Sequence, residues 1–426
     1  MKKLLSILFS LFLFGTAHAI TFTVPNLSVQ GSSNLSYPAI VAGGCQNIAA
    51  YGGSTGAADN SAALLAAIAA APTNNKCVAI GPGTWNFSAN VSYTLPNVSG
   101  DSLTILGAGQ DVTNLNWSAA GGLTINFSNV YNSLHIRDLS LLTGSVNTGT
   151  ALTVNMTAAT STNGANNAPS DITNVTVRGA DGYAVNDYWS TGIIIYGASV
   201  FNFYNTNIIG GGGCTSVSGG CYTTNTAIGV NIAGTSSLIP VQFNFVSCLF
   251  NYIGTGILYG NYAQGIIVMN SEFVGGTFGI HSPASETGLD QLTIIGSNFN
   301  VSTIPIITET AIPGMSVIGN YILVPANTTL NSGNAVGIQI TNGVSYSIVG
   351  NVIQGITGSP SGNNGIVSDG ATAKGIISGN SITDLALGVW LKTASTGINV
   401  QSNVYNNNTT NINNAGTGNT IGGGSP

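Results

Sequence analysis

Charged side chains make up only 5% of this 426-residue chain, so a place where they gather is informative. They gather with aromatics in RGADGYAVNDYWST, residues 178–191, which holds Arg178, Asp181, Tyr183, Asp187, Tyr188 and Trp189. Carboxylates beside flat rings suit carbohydrate, because rings stack on the apolar faces of a sugar and carboxylates accept from its hydroxyls. Two carboxyls about 5–10 Å apart also supply the acid and the base or nucleophile of most glycoside hydrolysis. Asp181 and Asp187, or either with a carboxylate on an adjacent coil, are the candidate catalytic residues, with Asp171, one strand earlier, as a further candidate. Arg178, Tyr183, Tyr188 and Trp189 are the candidate binding residues, with Trp189 as the stacking platform. The plainer alternative is that these aspartates cap a turn and Arg178 pairs with one of them. A second stretch, FGIHSPASETGLD at residues 278–290, adds His281 and Glu286 as binding candidates, with Asp290 in the same loop. Glu309, Asp369 and Lys392 share that strand column but stand apart, and read as solubilising.

What must position these loops is a repeat. Asn380 in GIISGNSI has counterparts in Asn320 of MSVIGNYI, Asn351 of YSIVGNVI and Asn403 of INVQSNVY. The same slot continues upstream through Ser297, Ser271 and Cys248, and more loosely Thr206, Val175 and Asp138. From Cys248 onward the separations are 23, 26, 23, 31, 29 and 23 residues, a solenoid period with insertions that mark loops. Each unit carries two short alternating segments and a third that begins glycine-apolar, at Gly256, Gly279, Gly337, Gly365 and Gly388. Three short Ile- and Val-rich strands per coil describe an all-β parallel β-helix. A lone buried amide is costly, but equivalent amides stacked about 4.8 Å apart can bond one another along the axis. The asparagines are therefore expected to form a ladder with no chemical role. On the same logic Ile280 points inward and His281 outward, three coils from the 178–191 loop, or roughly 14 Å.

Lys2 and Lys3 precede the apolar run Leu4–Phe14 and the small-x-small site Ala17-His18-Ala19, which together predict a secretory signal over 1–19. The mature chain then has 13 acids against 5 bases, a net charge of −8, which disfavours nucleic acid and polyanionic glycans. No membrane insertion is expected after signal removal, and the protein is expected to be secreted, periplasmic or at the cell surface. The remaining divisions are an N-terminal extension over 20–58, a helix and first coils over 59–110, the β-helix over 111–412 and a Gly/Asn-rich tail over 413–426. Export permits disulfides. Cys45 can pair with Cys77 and Cys214 with Cys221, leaving Cys248 as a buried thiol in the inward slot.

In ADNSAALLAAIAAAPTNNKCVAIGPGTWNFS, residues 58–88, Asp59 or Asn60 can cap an Ala-rich helix over 61–71 that Pro72 ends. Such a helix would cover the open end of the first coil. This stretch, followed by LTILGAGQDVTNLNW, resembles the N-terminal part of pectate-lyase-like single-stranded right-handed β-helix proteins, which include secreted polysaccharide lyases and hydrolases and phage tailspikes. The resemblance implies a right-handed parallel β-helix with an N-terminal capping helix. The Asn-Thr-Asp, Asp-Asp, Gly-His-Gly and Arg-Ile-Lys strings of polygalacturonases are absent, and Asn186-Asp187 is the nearest fragment. Three readings stay open: a carbohydrate-active enzyme, hydrolase before lyase; a tailspike- or tail-fibre-like protein, homotrimeric if so, that binds or degrades surface glycan; and a noncatalytic adhesin. No cofactor is expected, and calcium only for a lyase.

Overall fold

The structure, a computed structural model, describes residues 44–158, 168–183, 186–213, 215–217, 220–326, 335–343, 345–356, 362–370 and 374–422. The expected signal and Cys214 lie outside them. The compact unit begins at Cys45 and is a right-handed parallel β-helix. One coil shows the plan. Strand Val241–Val246 forms a first face, Leu249–Asn251 a second and Thr255–Tyr259 a third, and Gln264–Met269 then returns to the first face in parallel register, Val246 opposite Met269. First- and second-face strands merge into one 24-stranded sheet, while third-face strands form a 12-stranded sheet.

Period-two alternation puts Phe243 and Phe245 wholly inside and Asn244 outside. Because register is kept from coil to coil, like residues stack. Phe203 lies 4.3 Å from Phe245, Phe250 4.6 Å from Phe273, and Phe273 4.7 Å from Phe299, ring centre to ring centre.

The corner between the first and second faces explains the Gly-Asn dipeptides. Its first residue is left-handed, as at Gly319 (φ 64°) and Gly350 (φ 68°), where glycine avoids a Cβ clash. The next residue turns inward. Asn351 Oδ1 accepts from both the backbone N–H and Nδ2 of Asn320, each at 2.9 Å, while Asn351 Nδ2 donates to Asn380 Oδ1 and Val317 O, also at 2.9 Å. Asn380 meets Asn403 in the same way. Every polar atom of these amides is satisfied, so the expected ladder exists and burial is tolerated. Serine does part of the job: Ser297 Oγ accepts from Ser271 N at 3.2 Å. Cys248 holds the slot as a free thiol, pushed up to about 12 by burial. Asp138 does not occupy it. Strand Ser133–Thr143 aligns Leu139 with Val175, so Leu139 is the inward residue and Asp138 (φ 57°) the half-buried corner before it.

The helix runs Ser61–Ala70, one residue shorter than expected, and buries Ala63, Leu64, Ala67 and Ile68 in the main core. Asp59 rather than Asn60 takes its N-terminal donors, with Oδ1 3.0 Å from Ser61 N. Gln46 and Asn47 pair with Val78 and Ala79, and Cys45 is bonded to Cys77, so residues 45–47 are tied to the first coil. Cys221 is disulfide-bonded as well. At the other end Thr410–Asn414 and Thr420–Ile421 still pair in register with the preceding coil, so the expected tail contains strand. Among the described residues no helix is long and apolar enough to cross a membrane.

Candidate functional site

Strands Ser133–Thr143 and Ser170–Gly179 each run across the corner from the first face to the second. Their side chains therefore divide between two faces. On the first face, alternation turns His135 and Arg137 outward around buried Ile136, and the register sets Asp171 opposite His135 and Thr173 opposite Arg137. Asp171 is 9% exposed and saturated with partners. Its Oδ1 takes His135 Nδ1 at 2.5 Å and Arg137 Nη2 at 2.6 Å; its Oδ2 takes Arg137 Nε at 2.7 Å and Thr173 Oγ1 at 3.1 Å. Burial pushes this carboxyl up, but the bonds from Arg137 and His135 outweigh it and hold Asp171 well below the usual carboxylate range. A carboxylate so occupied has no lone pair left for a substrate proton. Asp171 thus positions His135 and Arg137 rather than cycling protons itself.

The same face continues with Asn202 and Asn244, bonded to each other at 2.8 Å, and with Tyr204, aligned with Thr173 and 41% exposed. An open tyrosine ring two strands from Arg137 supplies the stacking surface expected of Trp189. Trp189 cannot supply it. It is 2% exposed, lies 6.0 Å edge-on from Trp117 and donates from Nε1 to Leu141 O. Tyr188 is also in the core, its backbone bridged to Val146. As the chain rejoins the coil the Tyr188 N–H is taken by Ser145 O, and the aromatic pair is carried inward with it.

On the second face Arg178 pairs with neither loop aspartate. Its Nε and Nη2 reach Asp111 Oδ1 at 3.0 and 2.9 Å, its Nη1 donates to Gly179 O, and Tyr183 lies over it, donating to Asp111 Oδ2. Asp111 comes from the turn before strand Thr113–Trp117, a partner the sequence does not suggest. Asp181 folds its loop back, Oδ2 accepting from Asn186 N at 2.8 Å, and its Oδ1 is buried with no partner among the described residues. Partial burial and then the charge of Asp181 push Asp187 up.

His281 lies on the third face. Three register steps separate its strand from Thr191–Tyr196, as expected. Glu309 does not stand apart: it meets His281 Nε2 at 2.9 Å, and the ring of Phe278 lies 4.9 Å from that of His281. Asp369 and Lys392 are likewise paired, at 2.7 Å. Glu286 shows no side-chain bond among the described residues, and its carbonyl accepts from Thr310. The structure thus distributes the candidates over three faces: Asp171 with His135 and Arg137, then Arg178, Tyr183, Asp181 and Asp187, then His281 and Glu286. Among the described residues no group of three or more His, Cys, Asp or Glu could hold a metal ion.

No family model and no curated protein matches this chain. Solved structures do. The A-module of the Azotobacter vinelandii mannuronan C-5 epimerase AlgE4 is similar at a TM-score of 0.56 and 15% identity, over 88% of this chain and all of the epimerase module. The N-terminal fragment of gene product 12 of bacteriophage phi29 is similar at 0.51 and 14%, over 89% of this chain and 71% of the fragment. At such identities the likeness is one of fold: the chain shares the single-stranded parallel β-helix of these proteins.

Proposed function

We propose that the protein binds a polysaccharide or cell-surface glycan across its first face, with Tyr204 as stacking platform, Arg137 as a donor to sugar hydroxyls and His135 Nε2 as an acceptor from them. The observation that carries this reading is the Asp171-centred cluster beside an open tyrosine, in a chain that otherwise spends almost no charge. Asp171 holds both side chains in place, so little side-chain freedom is lost on binding. A net negative chain with one exposed arginine on this face suits a neutral glycan better than a polyanion. The protein relatives of similar fold include an enzyme acting on mannuronan, which is consistent with a glycan partner.

Cleavage in addition to binding would draw on the second-face loop, where partial burial and the charge of Asp181 push Asp187 up, the direction a glycosidase proton donor needs. Without cleavage the first face would serve as an adhesin or as the adsorption surface of a phage protein.

The test is glycan-array binding run beside a reducing-end assay on neutral and acidic polysaccharides. Tyr204→Ala should weaken binding about tenfold, the equivalent of about 1.4 kcal/mol. Asp187→Asn should stop any turnover while leaving affinity unchanged. Affinity untouched in Tyr204→Ala would remove the first face from the reading.

A further inference from the structure

We infer that Ser133, His135 and Asp171 form a hydrogen-bonded relay that hydrolyses small esters, removing O-acyl groups such as acetyl from a glycan. The natural substrate rests on the glycan reading above; the ester chemistry does not.

Ser133 lies two residues before His135 on one strand, so alternation places both on the same side, with Leu134 buried between them. His135 Nδ1 is 2.5 Å from Asp171 Oδ1, and its Nε2 is 3.4 Å from Ser133 Oγ. An ionised carboxylate only accepts, so Asp171 keeps the imidazole proton on Nδ1 and leaves the Nε2 lone pair toward the serine hydroxyl. That is the order of groups by which a weak hydroxyl becomes a nucleophile: hydroxyl, imidazole, orienting carboxylate. Arg137 and Thr173 fix the carboxylate in turn. The long Ser133 contact is of the kind that tightens when substrate enters.

Access defines the substrate. Ser133 is 6% exposed, whereas the His135 side chain is 24% exposed. A sugar ring cannot reach the hydroxyl, but an acetyl group projecting from a sugar lying on the surface has the right size. Ser133 Oγ adds to the ester carbonyl carbon as its proton passes to His135 Nε2. The bond from that carbon to the sugar oxygen then breaks, and His135 returns the proton to the sugar oxygen, leaving an acyl-serine and a free sugar hydroxyl. Water attacks the acyl-serine as its proton passes to the same nitrogen, the bond from the carbonyl carbon to Ser133 Oγ breaks, and His135 returns that proton to Oγ, releasing the carboxylic acid and restoring Ser133. Water is the only co-reactant.

The full chain is treated with a fluorophosphonate probe and mapped by peptide mass spectrometry, and its hydrolysis of p-nitrophenyl acetate and acetylated xylan is followed. The expected result is an adduct on Ser133, with hydrolysis lost in Ser133→Ala and reduced by about 10³–10⁴-fold in Asp171→Asn, whose imidazole takes the wrong tautomer. Circular dichroism checks that both variants are folded, and the wild-type adduct does not depend on either. No adduct on Ser133, or p-nitrophenyl acetate turnover unchanged in Ser133→Ala, overturns the relay. Glycan-array binding of the same unmodified chain separates the two proposals: glycan binding without a Ser133 adduct removes the relay alone, and ester turnover without glycan binding removes the glycan reading alone.

Discussion

Replacing Asn351 by leucine tests the ladder at its centre. The change keeps the approximate volume and removes the acceptor for two buried donors, the Asn320 N–H and one Nδ2 proton, both now at 2.9 Å. An orphaned buried donor costs about 1–3 kcal/mol, so the pair costs about 2–6. Burial of the leucine side chain returns about 1.5–3 kcal/mol, which leaves a net destabilisation of about 2 at the middle of both ranges. Asn351→Ser should do less harm, because a serine oxygen in this slot accepts the backbone donor, as Ser297 does for Ser271. Global unfolding of a solenoid departs from two-state behaviour, so the sharper assay is native-state hydrogen exchange. In Asn351→Leu the Asn320 amide should lose protection, in Asn351→Ser it should keep it, and strand Ser133–Thr143 should be unaffected in both. Unchanged protection at Asn320 in the leucine variant would refute the account of the slot.

Acid should act through Asp171. Its pKa is depressed in the fold, so the stability it contributes is fully present above the ordinary carboxylate value near 4 and is lost as pH falls from there toward the folded value. Wild type and Asp171→Asn should therefore differ in midpoint denaturant at pH 6, and the gap should narrow progressively as pH falls below about 4; a gap independent of pH would show that the ion pairs contribute nothing. Cys248, buried and with its thiol pushed up to about 12, should resist iodoacetamide at pH 8 until the protein is unfolded; native labelling would place the slot in solvent.

The fold was legible because the polar residues that interrupt the apolar strands recur at one position. Asn320, Asn351, Asn380 and Asn403 announce a stack, and a stack needs parallel coils. The site was less legible because side chains that meet across strands are 34–36 residues apart in sequence, as Arg137 and His135 are from Asp171. The string His135-Ile136-Arg137 shows two rare basic side chains on one side of a strand, a signal that alternation makes readable, but the partner carboxylate appears only with the register. Tyr188 and Trp189 misled for a different reason. Composition marks the 178–191 loop as a surface insertion, whereas the backbone bridge at Tyr188 returns the chain to the coil before its aromatics are spent. Arg178 and Asp111, 67 residues apart, meet only because the turn before Thr113 lies beside the second face two coils on.

The ladder also has a direction. Asn320 donates from N–H and Nδ2 to Asn351, Asn351 to Asn380, and Asn380 to Asn403, always toward the C-terminus. Each coil is completed by the one synthesised after it. Within the asparagine stretch a folded coil whose successor has yet to form presents two unmet donors at its growing edge, a template for the register of the segment about to emerge. Assembly becomes vectorial, and a nascent chain halted after Asn351 would carry that open edge until Asn380 arrived to close it.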